Sequence, residues 1–356
     1  MEHCSPNSQG FGNRLFVCEI HQQDDGIHET DCPLKILVRL YGGNVLPKDA
    51  PTRILDETTE TMVFYGLGMK GLGPKLYGTF EGGRLEEFIE SSAISVKDWA
   101  EDSNINKEVA RIVADYHSQD FPLVKQPQDI VKILEECYAG YLKIKNEVAR
   151  TVTPEEFEAA RDFFEFDVLT ECSWIRKVLP LVNSRVVFSH NDVNRGNHLV
   201  RNSDKKIILV DYEFSGYCYR GFEIGNYFGM KMFDFGAEKF RTGYDYPNEE
   251  YRREFIMAYS ERIKQNGYFA GDWHDSDDNA IDSVDHIVME AEFGSFAVRL
   301  INVAWCLRDA LNWIKVIRMR SKFDPDFEFG KAFTTVSHFY QQRKQVFLKA
   351  YPQFNV

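Results

Sequence analysis

The sequence predicts an α+β fold in two lobes, a small antiparallel sheet followed by a large, mainly helical region, and three observations carry that expectation. Near the start, "NRLFVCEI" and "LKILVRLYG" are short, β-branched apolar runs separated by polar, turn-like residues. Beyond "EGGRLEEF" the texture changes, and "INKEVARIVADYHSQ", "PQDIVKILEECYAGYLKIKNEVART" and "TPEEFEAARDFFEF" carry apolar residues at helical spacing. A chain of 356 residues with 44% hydrophobic content is also larger than one core usually serves, so it divides.

The elements follow in order. Two strands, a helix over residues 54–69 and a further strand in "GPKLYGTF" make the sheet lobe. The Gly82-Gly83 pair ends it, giving a first lobe at 1–81, a hinge at 82–85 and a helical lobe at 86–356. Inside the second lobe "VVF" and "IILVDYEF" read as a strand pair, and much of 251–351 returns to helical periodicity.

Charge and cysteine usage narrow the partners. The balance is acidic, net −13, and no run of Lys or Arg forms a basic stripe, which argues against nucleic acid or an anionic membrane as the main partner. Seven scattered cysteines, odd in number and without CxxC spacing, suggest neither a zinc site nor a disulfide scaffold and read as the reduced thiols of a cytoplasmic protein. The start "MEHCSPNSQG" is polar, and no apolar run approaches the ~18 residues of a membrane span, so no membrane anchor is expected. An acidic stretch, "DWHDSDDNAIDSVDH", fails the EF-hand pattern when counted from Asp275, because Ala280 stands at the required Gly and His286 at the bidentate Glu; it reads as a solvated loop.

Chemistry concentrates in "VVFSHNDVNRGNHLVRNSDKKIILVDYEF", whose polar residues gather at strand ends, where a rigid scaffold can present them. His190 opens a loop in which Asp192, Asn197 five residues later and Asp211 fourteen beyond that match the spacing of the HxDxxxxN loop and magnesium-binding Asp of protein kinases. In phosphoryl transfer from ATP, one carboxylate orients or deprotonates the acceptor hydroxyl, while an amide oxygen and a second carboxylate hold magnesium against the phosphates. Taken singly, such Asn and Asp residues are turn formers bonding their own backbone. Upstream residues tip the balance. "SQGFGNRLF" sets Gly10 and Gly12 in a turn leading into a strand, suited to covering phosphates through backbone N–H groups. Arg39 lies on the otherwise apolar strand "KILVRLYG" and Glu60 on the following helix, the arrangement by which a strand cation held by a helix carboxylate faces phosphates. Left unpaired in a core, an Arg costs roughly several kcal/mol, so Arg39 needs solvent or an anionic partner.

"FSHNDVNRGN" followed by "ILVDYEFSGYCYRGFEIGNYF" resembles the signature region of the choline/ethanolamine kinases, with a His-Asn-Asp loop, an Asp-Tyr-Glu strand and a Tyr-Arg-Gly-Phe run. "LVRLYG", "GLGPKLYGTF" and "GGRLEEFI" resemble the same family's third strand and hinge region, and the likeness extends from about residue 9 to 235, with a looser match in "SHFYQQRKQVF". The resemblance implies a two-lobed protein-kinase-like fold, ATP and Mg2+ as cofactors, and a small amino alcohol as acceptor, choline before ethanolamine or another hydroxylated amine, in phospholipid head-group synthesis. A homodimer is common among relatives. It further implies Asp192 as catalytic base, Asn197 and Asp211 as magnesium ligands, Arg39 with Glu60 as the phosphate-facing pair, and His190 with Glu223 as braces of the loop. Adenine would sit on the backbone of Glu81, Gly82, Gly83, Arg84 and Leu85, and the acceptor near Asn194, Glu213, Phe214, Phe235, Trp305 and Trp313. A chain that kept the fold only as a binding module would be expected to have lost Asp192, Asn197 or Asp211, and all three are present.

Departures fall on the acceptor side. After "IGN" the family has an acid and a cage aromatic where this chain has Met230 and Lys231, and its Trp-x-x-Trp pair is replaced by Trp305 and Trp313, eight apart. A lost cation–π partner costs ~2 kcal/mol, and a lysine a few ångströms from choline adds a repulsion of ~4 kcal/mol at an effective dielectric of about 20. Two geometries are open: Lys231 turned out to solvent, or facing the acceptor.

Overall fold

The structure, a computed structural model, describes residues 4–9 as backbone and residues 13–19, 33–41, 55–232, 243–267, 280–322 and 328–356. Its first lobe is a five-stranded antiparallel sheet in the order β1 (Cys4–Gln9), β2 (Arg14–Glu19), β3 (Lys35–Leu40), β5 (Gly83–Glu87), β4 (Leu76–Phe80), with helix α1 (Glu57–Met69) entering between β3 and β4. Asp56 caps α1 by accepting from the N–H groups of Thr58 and Thr59, and Val63, Phe64 and Leu67 give the helix its buried face. β2, β3, β4 and α1 lie where the sequence placed them, whereas β1 and β5 were not expected as strands.

The junction lies elsewhere. Residues 82–85, expected as a hinge, are the turn and first half of a β4–β5 hairpin: Gly82 takes φ +82°, and a Cβ on Gly83 would meet the Phe80 ring at 2.5 Å. Both glycines serve the hairpin. β5 is an interior strand between β3 and β4, and the lobes join through residues 88–90, where the Asn202 N–H donates to the Glu90 carbonyl at 2.8 Å. Cys18 is disulfide-bonded, against the expectation of reduced thiols throughout; folding brings distant cysteines within bridging reach in ways that sequence spacing does not reveal.

In the second lobe β6 (Ser91–Ala93), β8 (His198–Arg201) and β9 (Ile207–Leu209) form one small sheet, and β7 (Val186–Ser189) pairs with β10 (Gly216–Tyr219) in another. "VVF" and "IILV" are therefore strands with separate partners, "GYCY" and "HLVR", instead of a pair. The helices are α2 (Val96–Glu101), α3 (Ser103–His117), α4 (Ile130–Thr151), α5 (Pro154–Ala159), α6 (Arg161–Phe164), α7 (Val168–Val182), α8 (Arg220–Gly229), α9 (Glu249–Gln265), α10 (Val284–Arg308), α11 (Ala310–Arg320) and α12 (Phe329–Ala350). Short polar residues start several of them, with Asp102 capping α3, Asp129 α4, Asn248 α9 and Ser283 α10, and a Thr153/Glu156 capping box opening α5.

Two apolar cores result. One lies among α4, α7, α10, α11 and α12; the other joins α1, α3, α8 and α9 to β7, β9 and β10. Of the acidic stretch, residues 272–279 lie outside the described residues, but Asp282 is clamped by Arg185 at 2.6 Å and Arg220 at 2.7 Å, so that end is an ion-pair anchor instead of solvated loop.

The tightest helix contact is α8 against α10. Gly221, Gly225 and Gly229 recur at every fourth position and turn one bare stripe toward α10, where Gly294 completes the close approach. A Cβ at Gly225 would lie 2.7 Å from the Gly294 carbonyl carbon and closer still to Ser295 N and Ala291 O, all backbone atoms that cannot yield. Helix propensity alone would favour Ala at Gly225 by about 1 kcal/mol, so the two effects oppose. Gly225→Ala is expected to destabilise the protein by roughly 1–3 kcal/mol, as overpacking does, read as a lower thermal midpoint; a raised midpoint would refute the packing account.

Candidate active site

The loop after β7 is shaped by its own polar residues. His190 donates from Nε2 to the Val210 carbonyl at 3.0 Å, which leaves Nδ1 as the acceptor for the Asp192 N–H at 3.2 Å. Asn191 takes φ +66°, tolerable for Asn, and its amide donates to the Phe214 carbonyl at 2.9 Å. Its backbone N–H donates to Glu223 at 2.7 Å, and the other oxygen of Glu223 meets His117 Nε2 at 2.6 Å, with Tyr259 on the far imidazole nitrogen at 2.9 Å. Thus α8 and α3, held by the glycine stripe and the core, brace the loop from beneath.

Asn197 Nδ2 donates to both the Asp192 carbonyl and the Asp192 carboxylate, each at 2.9 Å. Both amide hydrogens are used, so Oδ1 is the pole left for a cation. The Val210 N–H donates to the Asn197 carbonyl at 3.0 Å, fastening this loop to the next, where Asp211 sits at φ +73° with its carboxylate 37% exposed. A non-Gly residue in the left-handed region is strained, and the strain points the carboxylate into the site. Asp192, Asn197, Asp211 and His190 are thereby brought together. Glu213, expected at the acceptor, joins the same cluster: burial, then the charges of Asp211, Glu60 and Asp192, push its carboxyl up to about 7. An oxygen-rich pocket with more negative charge than it can hold comfortably suits a hard divalent cation, and Asn197 Oδ1 with the Asp211 carboxylate fits Mg2+. Among the described residues no group of three His, Cys, Asp or Glu side chains has metal-site geometry, so phosphate oxygens and water would complete the shell.

Above the cluster, the expected Arg39–Glu60 pair is replaced by a ladder. Arg39 bonds Glu86 at 2.7 Å and reaches Asp211 at 3.8 Å; Arg84 bonds the same Glu86 oxygen at 2.7 Å and Glu60 at 2.8 Å. Burial works most strongly against the charge of Arg39, and the carboxylates of Glu86, Asp211 and Glu60 together more than offset it, so the guanidinium is held above its usual range. Arg84, expected to offer backbone to adenine, is 0% exposed, and its side chain is the centre of this ladder. Arg39 and Arg84 are direct cross-strand partners on β3 and β5, and Glu86 is the next inward residue. Charged residues at period two in "GRLEE" were the legible signal for it.

Other expectations divide. Gly10, Gly12 and Phe235 lie outside the described residues. Asn194 spends its side-chain oxygen on the N–H groups of Gly196 and Asn197, at 2.8 and 3.2 Å, which makes it a loop-shaping residue. Phe214 stays beside the loop through its carbonyl, but Trp305 packs into the core around α4 and α10, and Trp313 is 39% exposed on α11. Lys231 is not turned out to solvent. It is 1% exposed, enclosed between helices with its ammonium 4.0 Å from the ring centres of both Trp99 and Tyr227. Glu86, Asn191 and His117 were not singled out from the sequence; only their partners, brought from other elements, give them roles.

A sheet lobe over a helical lobe, with an Asp/Asn loop facing a left-handed Asp beneath a strand arginine, defines a protein-kinase-like fold. The chain belongs to the choline/ethanolamine kinase family, whose sequence profile matches residues 5–341. It is 32% identical over 269 residues to the choline/ethanolamine kinase of Homo sapiens, covering 73% of this chain and 63% of that protein, so the match spans less than two thirds of the relative's length. The probable ethanolamine kinase of Arabidopsis thaliana is 29% identical over 314 residues, covering 85% of this chain and 72% of that protein. Among solved structures, the choline kinase of Cryptosporidium parvum superposes with a TM-score of 0.66 at 23% identity, covering 98% of this chain and 90% of that one, and shows the same fold.

Because the value of Glu213 is raised from 4.5 to about 7, the folded chain holds its extra proton between those limits. The stabilising contribution is full below the unfolded value and is lost as pH rises through the folded one. Glu213→Gln is expected to melt above the parent at about pH 8, with the difference vanishing near pH 5; equal midpoints across that range would place Glu213 outside the crowded cluster.

Proposed function

We propose that the protein transfers the γ-phosphoryl group of ATP to the hydroxyl of a small amino alcohol, choline first and ethanolamine second, as a step in phospholipid head-group synthesis. The observation that carries this reading is the double clamp of Asn197 on Asp192 beside the crowded carboxylates of Asp211 and Glu213. Asp192 orients the acceptor hydroxyl and takes its proton as the O–P bond forms. Asn197 holds that carboxylate in place and, with Asp211, would hold Mg2+, which when bound neutralises phosphate charge. Arg39, fixed by Glu86, adds positive charge at the same point. The two family names of the relatives, choline and ethanolamine, bound the acceptor class.

The test is magnesium-dependent ATP turnover with choline, ethanolamine and their N-methylated intermediates. Asp192→Ala is expected to lower kcat by ~10²–10⁴ with the KM for ATP little changed, the usual contribution of a general base; a loss below about threefold would remove Asp192 from that role. Asp211→Asn keeps the shape and removes a charged ligand, so the magnesium concentration giving half-maximal rate is expected to rise. No turnover with any amino alcohol would leave the fold as a binding module and defeat the proposal.

A further inference from the structure

The side chain of Lys231 follows α8 and turns back into a box walled by three helices. Its ammonium lies 4.0 Å from the ring centre of Trp99 on α2, 4.0 Å from that of Tyr227 on α8 and 5.5 Å from that of Tyr251 on α9. Two oxygens add to the coordination: the Trp99 carbonyl, and the Tyr227 hydroxyl at 2.7 Å. In return the Trp99 indole N–H donates to the Met230 carbonyl at 3.2 Å, so α2 and the end of α8 clasp each other in both directions. Tyr227 OH also faces Asn106 Oδ1 at 3.2 Å, and Asn106 Nδ2 donates to the Tyr251 carbonyl at 2.9 Å, which orients two of the walls.

Aromatic faces with one or two oxygen acceptors are how proteins recognise organic ammonium ions. We infer that the space between Trp99, Tyr227 and Tyr251 is an alkylammonium-binding site that the chain fills with its own Lys231, and that it is therefore closed to soluble amines. Burial pushes the Lys231 ammonium well below the usual lysine range, and the ring faces and the two oxygens act in the opposite sense. This inference does not depend on phosphotransfer, since the walls of the box are Trp99, Tyr227 and Tyr251, none of which is assigned a part in that reaction.

Lys231→Ala removes three methylenes and the ammonium, and propylammonium has those same groups. The variant is expected to melt a few degrees below the parent, and millimolar propylammonium chloride is expected to restore part of that loss in a saturable way, as a ligand of the folded state does. Potassium chloride at equal ionic strength and 1-propanol at equal concentration are expected to leave it unchanged. The parent and Lys231→Met, whose boxes are full, are expected not to respond to propylammonium. Equal stabilisation by 1-propanol would reduce the box to an apolar void, and a folded Lys231→Ala chain indifferent to propylammonium would overturn the inference. A second measurement uses the unaltered chain, should Lys231→Ala not fold: in lysine-labelled protein at pH 7, one side chain is expected to show Hε resonances moved upfield by the rings and an ammonium Nζ shift. A neutral amine there, or no ring-shifted lysine, would likewise overturn it.

Discussion

Glu86 sits almost without exposure between two arginines, and the charge geometry of the upper half of the site depends on it. One oxygen accepts from both Arg39 and Arg84 at 2.7 Å, and the second arginine passes the connection to Glu60 on α1. Buried charges are expensive unless paired, and removing one member of such a set typically costs about 3–5 kcal/mol because the others are stranded. The ladder therefore fixes three elements at once: β3, β5 and α1 cannot shift independently. Its open end is Arg39, which reaches across to Asp211 in the lower lobe. Positive charge at the edge facing Asp211 is thus a property of the whole sheet lobe rather than of one side chain.

Below that edge the controlling constraint is steric. The bare stripe of α8 lets its backbone press on α10, and this brings Glu223 directly beneath Asn191. A larger residue anywhere on the stripe would lift α8, and with it the carboxylate that holds the loop of Asp192. The chain of contacts from Tyr259 through His117 and Glu223 to the Asn191 N–H then transmits the position of two helices to a loop that has little secondary structure of its own. Asn197 and Val210 close the arrangement from the other side.

Around Lys231 the structure adds what a simple electrostatic reading lacks. A lysine in place of an aromatic looks hostile to a cationic ligand when only the sequence is in view. In the fold that lysine lies in an aromatic box, where its charge meets ring faces and oxygens and serves helix docking. Trp305 and Trp313, two of the four aromatics expected near the acceptor, belong to the core and to the surface of another helix.

The chain by itself determined much of this protein. Apolar periodicity placed β2, β3, β4, α1 and the long helices, because period two and period 3.6 are local consequences of backbone geometry. The spacing of Asp192, Asn197 and Asp211 likewise survived into space, since all three sit on two adjoining loops whose lengths set their separation. Tertiary structure decided what depends on partners distant in sequence. Glu86 rather than Glu60 became the mate of Arg39 because strand register, which no single strand specifies, set β5 beside β3. Gly82 and Gly83 turned a hairpin instead of a hinge because the strand following them found a place inside the sheet. Glu213 joined the carboxylates of Asp211 and Asp192, and Lys231 entered an aromatic box, for the same reason. The direction a side chain faces, and so the charge it meets, is settled by the packing of several elements at once and is absent from the local pattern of residues.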